Sequence, residues 1–297
     1  MQAQSVASCH QRFVPVMIAA SVFVLGCGSS ADSPPAQPRN QQADVSERSL
    51  GFPTAESPAA GQPPGTDPAV AEGDAVEVIA TVGWERVAQL PIDLAIHDSV
   101  FWEPADTDSL RELIATTDLV REKRVLEVGT GSGLISLCCL NSGAATVIAT
   151  DINPNAIRCA EENSFRLQQA RPELSGTLET RLVPRRSPGA WTVIRSEETF
   201  DVIISNPPWE DSTPKTVAEF ALYDPQFELL KSLMHGAKTK LNPGGRLLLA
   251  YGCVTAIRTI QQVAAEEQLN CRILDNRSLE ELPEVFLPGM LLEITVP

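Results

Sequence analysis

The stretch Val125-Leu126-Glu127-Val128-Gly129-Thr130-Gly131-Ser132-Gly133 decides the fold. Its first half is an apolar run of the length of a buried strand, and Leu134 to Leu140 behind it reads as a helix. Between them glycine recurs at every second position. Glycine turns tightly and lets the backbone approach a ligand that a Cβ would repel. A strand, a glycine loop and a helix in that order form the place where open α/β sheets bind nucleotides. The spacing is GxGxG, not the GxGxxG of dinucleotide sites. A dinucleotide needs its pyrophosphate over a helix N-terminus, whereas a cofactor without phosphate does not. The other reading is a tight turn with no ligand, since glycine often marks turns alone.

Outward from the loop, strands and helices alternate. Strands are expected at Thr146 to Thr150, Leu178 to Val183, Phe200 to Ile204, Arg246 to Ala250, Cys271 to Leu274 and Leu291 to Val296. Helices are expected at Pro154 to Gln168, with Pro in the first turn, at Pro225 to Leu241, stopped by Asn242-Pro243-Gly244-Gly245, and at Val254 to Gln268. Upstream, Thr107 to Val120 reads as a helix capped by Asp106 or Thr107. Val76 to Ala80 and Glu85 to Leu90 read as strands of a hairpin around Gly83. Such alternation implies βαβ units. The expected fold class is α/β: a seven-stranded, mostly parallel sheet with helices on both faces, its last two strands forming an antiparallel hairpin.

Two further constellations sit at strand ends. Asp151 closes the second strand of the sheet, at about the interval from the glycines where an acid meets ribose hydroxyls. It could also cap the next helix, but Asn153 is better placed for that. Asn206-Pro207-Pro208-Trp209 follows the strand Phe200 to Ile204 directly. The Asn206 side-chain oxygen and the Pro207 carbonyl can accept both hydrogens of a planar NH2 group. The prolines stiffen the backbone that carries these acceptors. Trp209 can stack on the planar group, worth about 1–3 kcal/mol for a base on an aromatic ring. Such a clamp would aim nitrogen at an electrophilic carbon. Positioning alone can supply roughly 7–11 kcal/mol of a barrier. The bland alternative is a turn with a buried Trp.

The chain has 297 residues and a formal charge of -15. That field argues against gripping long nucleic acid. Arg158, Arg166, Arg171, Arg181, Arg185, Arg186 and Arg195 fall in one stretch; they form either a solvated face or a local basic patch. With no CxxC and three His, a zinc site has little support. Cys138, Cys139, Cys159, Cys253 and Cys271 lie in apolar or helical patterns and read as buried free thiols. Phe13 to Gly26 is apolar, with the length of a signal core, and Val24-Leu25-Gly26-Cys27 resembles a bacterial lipoprotein box. Residues 1–27 are therefore read as a signal or lipoprotein-like segment. Residues 28–75, rich in Pro, Ser, Ala and Gln, are read as a disordered linker.

From Phe101 to Val296 these motifs together resemble the class I S-adenosylmethionine-dependent methyltransferases. The resemblance is to the small-domain group that includes release-factor glutamine N5-methyltransferases and RNA N-methyltransferases. It implies a Rossmann-like methyltransferase domain over 76–297, with its catalytic core at 101–297, and S-adenosylmethionine as cofactor. The cofactor would be held by Glu127, Gly129, Thr130, Gly131, Gly133, Asp151, Ile152, Asn206 and Thr107. The catalytic set would be Asn206, Pro207, Pro208 and Trp209, with no metal. Phe101-Trp102-Glu103-Pro104-Ala105-Asp106-Thr107 is similar to the segment these enzymes place over the cofactor, though one residue shorter. Trp209 stands where the group more often has Tyr.

The expected activity is N-methylation of a planar NH2 group, with a protein glutamine, for instance in a translation release factor, favoured as acceptor. A nucleobase of rRNA or tRNA is the alternative. A third reading, from another class, is a non-catalytic membrane-anchored lipoprotein with this fold. S-adenosylmethionine is a cytosolic metabolite, so a cytoplasmic catalytic domain is favoured. A membrane association would run through Cys27 alone.

Overall fold

The computed structural model describes residues 80–297. The signal-like segment, the linker and nearly all of the expected strand at Val76 to Ala80 lie outside the described residues. In chain order the elements are β1 (Thr81–Arg86), β2 (Asp93–His97), α1 (Asp108–Thr116), β3 (Arg124–Val128), α2 (Leu134–Asn141), β4 (Thr146–Asp151) and α3 (Pro154–Ala170). They continue with β5 (Thr177–Leu182), β6 (Phe200–Ser205), α4 (Glu228–Lys240), β7 (Leu241–Cys253), α5 (Val254–Glu266), β8 (Asn270–Ile273) and β9 (Val285–Thr295).

Seven strands form one sheet in the order β5-β4-β3-β6-β7-β9-β8. The first five are parallel, and β9 runs antiparallel to both β7 and β8. The mostly parallel sheet with an antiparallel end is thus as expected. The chain starts at the centre with β3, steps outward through β4 and β5, then crosses back to β6 on the other side of β3. That reversal opens a crevice at the C-terminal ends of β3 and β6, the usual ligand position in such sheets. Val128 pairs with Ser205, so the glycine loop and the Asn-Pro-Pro-Trp turn leave neighbouring strands at the same level.

Alternate residues of each central strand face opposite layers. Leu126, Ile203 and Leu247 pack with Leu230, Leu233 and Met234 of α4 and Ile257 and Ile260 of α5. Val125, Val202 and Leu248 pack with Leu110 and Ile114 of α1, Leu137 of α2 and Leu94 and Ile96 of β2. Helices therefore cover both faces. Cys138, Cys139, Cys159 and Cys253 are buried free thiols and Cys271 is a half-buried one. Among the described residues no helix is long and apolar enough to cross a membrane.

Four local readings change. The hairpin does not turn at Gly83, which lies inside β1 opposite Ile96; the strands join through residues 87–92. β2 was not foreseen, because its burial comes from contacts with α3, where Asn163 Oδ1 accepts from Ala95 N at 2.7 Å. The helix expected from Thr107 begins at Asp108, behind a 3-10 turn at Pro104–Thr107, and Thr107 makes no side-chain cap bond. Asn242-Pro243-Gly244-Gly245 does end α4, yet the chain re-enters the sheet at once. Pairing runs from Phe200↔Leu241 to Val202↔Arg246, so the extra residues of β7 loop out.

The arginine stretch divides: Arg158, Arg185, Arg186 and Arg195 are exposed, whereas Arg166, Arg171 and Arg181 are engaged within the fold. Arg181 donates to Glu198 and Glu179, Arg171 to Glu173 and Asn141, and Arg166 stacks over Trp84. Arg124 also reaches Glu198, at 2.9 Å. The hydrogen bond from Arg181 holds the buried Glu198 carboxyl down at about 2, against an ordinary 4.5. A depressed carboxyl stabilises the fold above its unfolded pKa, and that stability is lost as pH falls through about 2. Glu198→Gln is expected to cost roughly 3 kcal/mol at neutral pH, with the gap to wild type closing in strong acid. Urea titrations across pH check this. Equal stability at neutral pH would show that the network contributes nothing.

Candidate active site

Gly129, Gly131 and Gly133 all have left-handed backbones, with φ of 80°, 54° and 83°. This is the conformation that a side chain penalises. Gly133 caps α2, and a Cβ there would lie 2.9 Å from the Cα of Ala160 on α3. The loop is pinned from below as well. Gly129 N and Thr130 N donate to Thr150 O at 2.9 and 3.0 Å. Buried Glu127 accepts from Thr130 Oγ1 at 2.7 Å, from Ser136 N at 3.0 Å and from Ser136 Oγ. Burial lifts its pKa to about 7, with the Ser136 and Thr130 bonds opposing. Glu127 lines the cleft, and one of its oxygens also ties the loop to the first turn of α2. The part of Ser136 was not legible, because a lone Ser inside an apolar helix carries no signal of its own.

Asp151 ends β4. Its Oδ2 accepts from Gly131 N at 2.9 Å and its Oδ1 from Asn153 N at 2.8 Å. Desolvation raises its pKa and these backbone bonds oppose the rise. Each oxygen keeps a lone pair for a further donor. Asn153 is the cap of α3, accepting from Asn155 N at 2.9 Å, and its amide donates to Ser99 O at 2.9 Å. That bond draws the segment Ser99 to Pro104 toward the glycine loop; the carbonyl of Phe101 is the nearest atom, at 3.9 Å, to a Cβ built on Gly131.

The turn Pro104–Thr107 is held by Arg111 of α1, whose Nη2 donates to Pro104 O at 2.9 Å. It brings buried Asp106 against the first residue after β6. Asn206 Nδ2 donates to Asp106 Oδ2 at 3.3 Å, while Asn206 Oδ1 is buried and has no partner among the described residues. Pro207 and Pro208 are buried and Trp209 is half-buried. The indole lies against Gly252 of β7 and Gly289 of β9. A Cβ would come within 2.5 Å of its Cζ3 at the first and 3.5 Å of its Cζ2 at the second. Beyond Trp209, Glu210 N donates to Leu222 O at 3.1 Å and Asp224 N to Glu210 O at 2.8 Å, tying down the next loop.

These pieces enclose one cleft of about 520 Å³. Glu127, Gly129, Thr130, Gly131, Asp151, Ile152, Thr107 and Asn206 to Trp209 all line it, whereas Gly133 does not and sits behind the loop as a spacer. Among the described residues the lining carries Glu103, Asp106, Glu127, Asp151, Glu210, Asp224 and Glu228, and no Lys, Arg or His. Exposed apolar side chains, Phe101, Leu222, Val285 and Leu287, stand at its rim. The rim residues of β9 were missed because Val285 to Gly289 precedes the apolar run from which that strand was read. A nucleoside cofactor without phosphate fits this donor set. Asp151 has acceptors to spare for hydroxyls, the loop approaches as bare backbone, and an orphaned amide oxygen waits beside it.

Residues 109–207 match the family described as ribosomal protein L11 methyltransferase (PrmA). The release factor glutamine methyltransferase of Cereibacter sphaeroides is 31% identical over 188 residues, covering 56% of this chain and 63% of that protein. The release factor glutamine methyltransferase of Neisseria gonorrhoeae is 30% identical over 170 residues, covering 53% of this chain and 57% of that protein. The chain thus spans less than two thirds of the length of these relatives. The glycine loop, Asp151 and the first residues of the Asn-Pro-Pro-Trp turn all fall within residues 109–207, and what they build is a methyltransferase domain of the S-adenosylmethionine-dependent kind.

Proposed function

We propose that this chain methylates the side-chain nitrogen of a glutamine in a protein, a release factor being the first acceptor to try. The observation that carries this reading is that, among the described residues, Asn206 Oδ1 is unpartnered in a cleft lined by carboxylates and no cation. An amide NH2 needs an acceptor, and Asn206 Oδ1 and the Pro207 carbonyl supply two. A nucleobase arrives with phosphates on either side, and anionic walls repel them. The apolar rim at Phe101, Leu222, Val285 and Leu287 suits a peptide loop. The names of the two relatives point the same way.

S-adenosylmethionine, when bound, supplies an electrophilic methyl group. The chain's own residues do the rest by placement. Asp151 and the glycine loop would hold the nucleoside and methionine portions, with Thr107 and Ile152 beside them. Asn206 and Pro207 would fix both amide hydrogens, so the nitrogen has one direction left in which to face. Trp209 would cover the planar group. The catalytic domain would work in the cytosol, where that cofactor is made. A lipid-modified Cys27 in the mature protein would overturn that placement, and mass spectrometry of the N-terminus decides it.

Mass spectrometry of release factors, rRNA and tRNA from a strain lacking this chain separates glutamine from nucleobase. A methyl mark lost from RNA alone would sink the glutamine reading. Calorimetry with S-adenosylmethionine tests the cofactor assignment. Asp151→Ala should weaken binding by roughly 30-fold or more, the cost of removing one partner of a desolvated charged hydrogen bond. Unchanged affinity would remove Asp151 from the site.

A further inference from the structure

We infer that Asp106 is the positioning residue of the acceptor clamp: it fixes the Asn206 carboxamide with Nδ2 turned inward and Oδ1 left for the substrate. This rests on the reading of Asn206 as an acceptor of an NH2 hydrogen. A carboxamide has two faces of nearly equal shape and opposite hydrogen-bonding sense. Reversed, Asn206 would set Oδ1 against the carboxylate oxygen that Nδ2 now meets at 3.3 Å. Two acceptors would then oppose each other in a buried place, and the substrate's N–H would meet another N–H. An ionised Asp106 therefore selects one orientation. Burial lifts its pKa to about 6, with the Asn206 bond opposing and Glu103 adding to the rise, so above neutrality it is the carboxylate this selection requires.

Asp106 is itself immobilised. Its turn hangs from Arg111 through Pro104 O, and Thr107 Oγ1 donates to the same carbonyl at 3.4 Å. Its own carbonyl lies where a Cβ on Gly289 of β9 would come within 2.7 Å. Asp106 and Asn206 are 100 residues apart in the chain and meet across the crevice. Asp106 touches the group that touches the substrate, so its role is orientation.

The test uses the full chain above neutral pH. In the wild type, one Asn206 side-chain N–H is expected to be shifted and protected from exchange in nitrogen-15 spectra. It is assigned by its absence in Asn206→Ala. In Asp106→Ala the pair should move to the positions of free carboxamides. Methyl transfer to a release factor should fall on the order of 100-fold in kcat with S-adenosylmethionine affinity kept. In the Asn206→Ala background the same change should cost nothing further. Asp106→Asn, which keeps the shape and can accept or donate, folds if the alanine does not and should lose an intermediate share of kcat with little change in KM. A wild-type kcat in Asp106→Ala, or losses in the two single variants that multiply, would overturn the inference. If no protein glutamine is methylated at all, the proposed function fails, and the amide signal alone decides: dependence on Asp106 upholds the orientation and indifference removes it.

Discussion

Asn206→Ala is expected to lower methyl transfer by roughly 100- to 1,000-fold, the usual loss when one preorganised hydrogen-bonding group is removed from a reacting centre. Two things leave with the side chain. The substrate loses an acceptor that is already aligned, and Asp106 loses its buried donor. The nitrogen can then rotate, and near-attack geometry becomes rare. S-adenosylmethionine binding should change little, because the loop after β3 and Asp151 lie on other strands. Single-turnover methylation of a release factor, paired with calorimetry, reads the two effects apart. A variant within tenfold of wild type in the transfer step would show that the clamp does not hold the acceptor. A variant that fails instead in cofactor binding would move Asn206 to the cofactor's side of the cleft.

Gly133→Ala should be the most destabilising single methyl in the glycine loop. Its φ of 83° carries the left-handed penalty, about 1–2 kcal/mol. Its new Cβ would also meet the Cα of Ala160 at 2.9 Å and Leu137 Cδ1 at 3.0 Å. Overpacking of that kind costs about 1–3 kcal/mol, and neither a backbone atom nor a core leucine can step aside cheaply. The sum is roughly 2–5 kcal/mol, a fall in Tm of about 4–20 °C for a domain of this size. Gly129→Ala is the internal control. It has nearly the same φ, 80°, but nothing within 4 Å of the added Cβ, so it should lose only about 1–2 kcal/mol. Thermal unfolding of both variants checks the difference. Equal losses would mean that backbone strain alone accounts for the glycine and that the contact with α3 is soft.

The central sheet was legible in the sequence because its strands are buried on both faces and read as short apolar runs. Val125 to Val128 and Phe200 to Ile204 needed no tertiary information. β2 did, since Leu94, Ala95 and Ile96 become core only once α3 lies over them. The site divides the same way. Residues at strand ends, Gly129, Gly131, Asp151 and Asn206, announce themselves by position and type. Asp106 against Asn206, and the seat of Trp209 on Gly252 and Gly289, join residues far apart in the chain. No local pattern carries such pairings. The arginine stretch divides for a related reason: Arg158, Arg185, Arg186 and Arg195 form a solvated face, while the sequence does not show which acids fold against Arg171 and Arg181.

The pairing of Val128 with Ser205, reinforced by the bond from Ser205 Oγ to Val128 O at 2.6 Å, has a consequence for motion. The strand ends beneath the two halves of the cleft floor do not part unless the middle of the sheet opens, and openings of core strands lie toward the global unfolding energy of a domain. The strand ends from which the glycine loop and the Asn-Pro-Pro-Trp turn leave therefore keep their spacing while the sheet is intact. Whatever breathing lets a substrate in and a product out must come from the walls. Those are the segment Ser99 to Pro104, tethered through Asn153, and the loop from Glu210 to Asp224, tethered through a few backbone bonds.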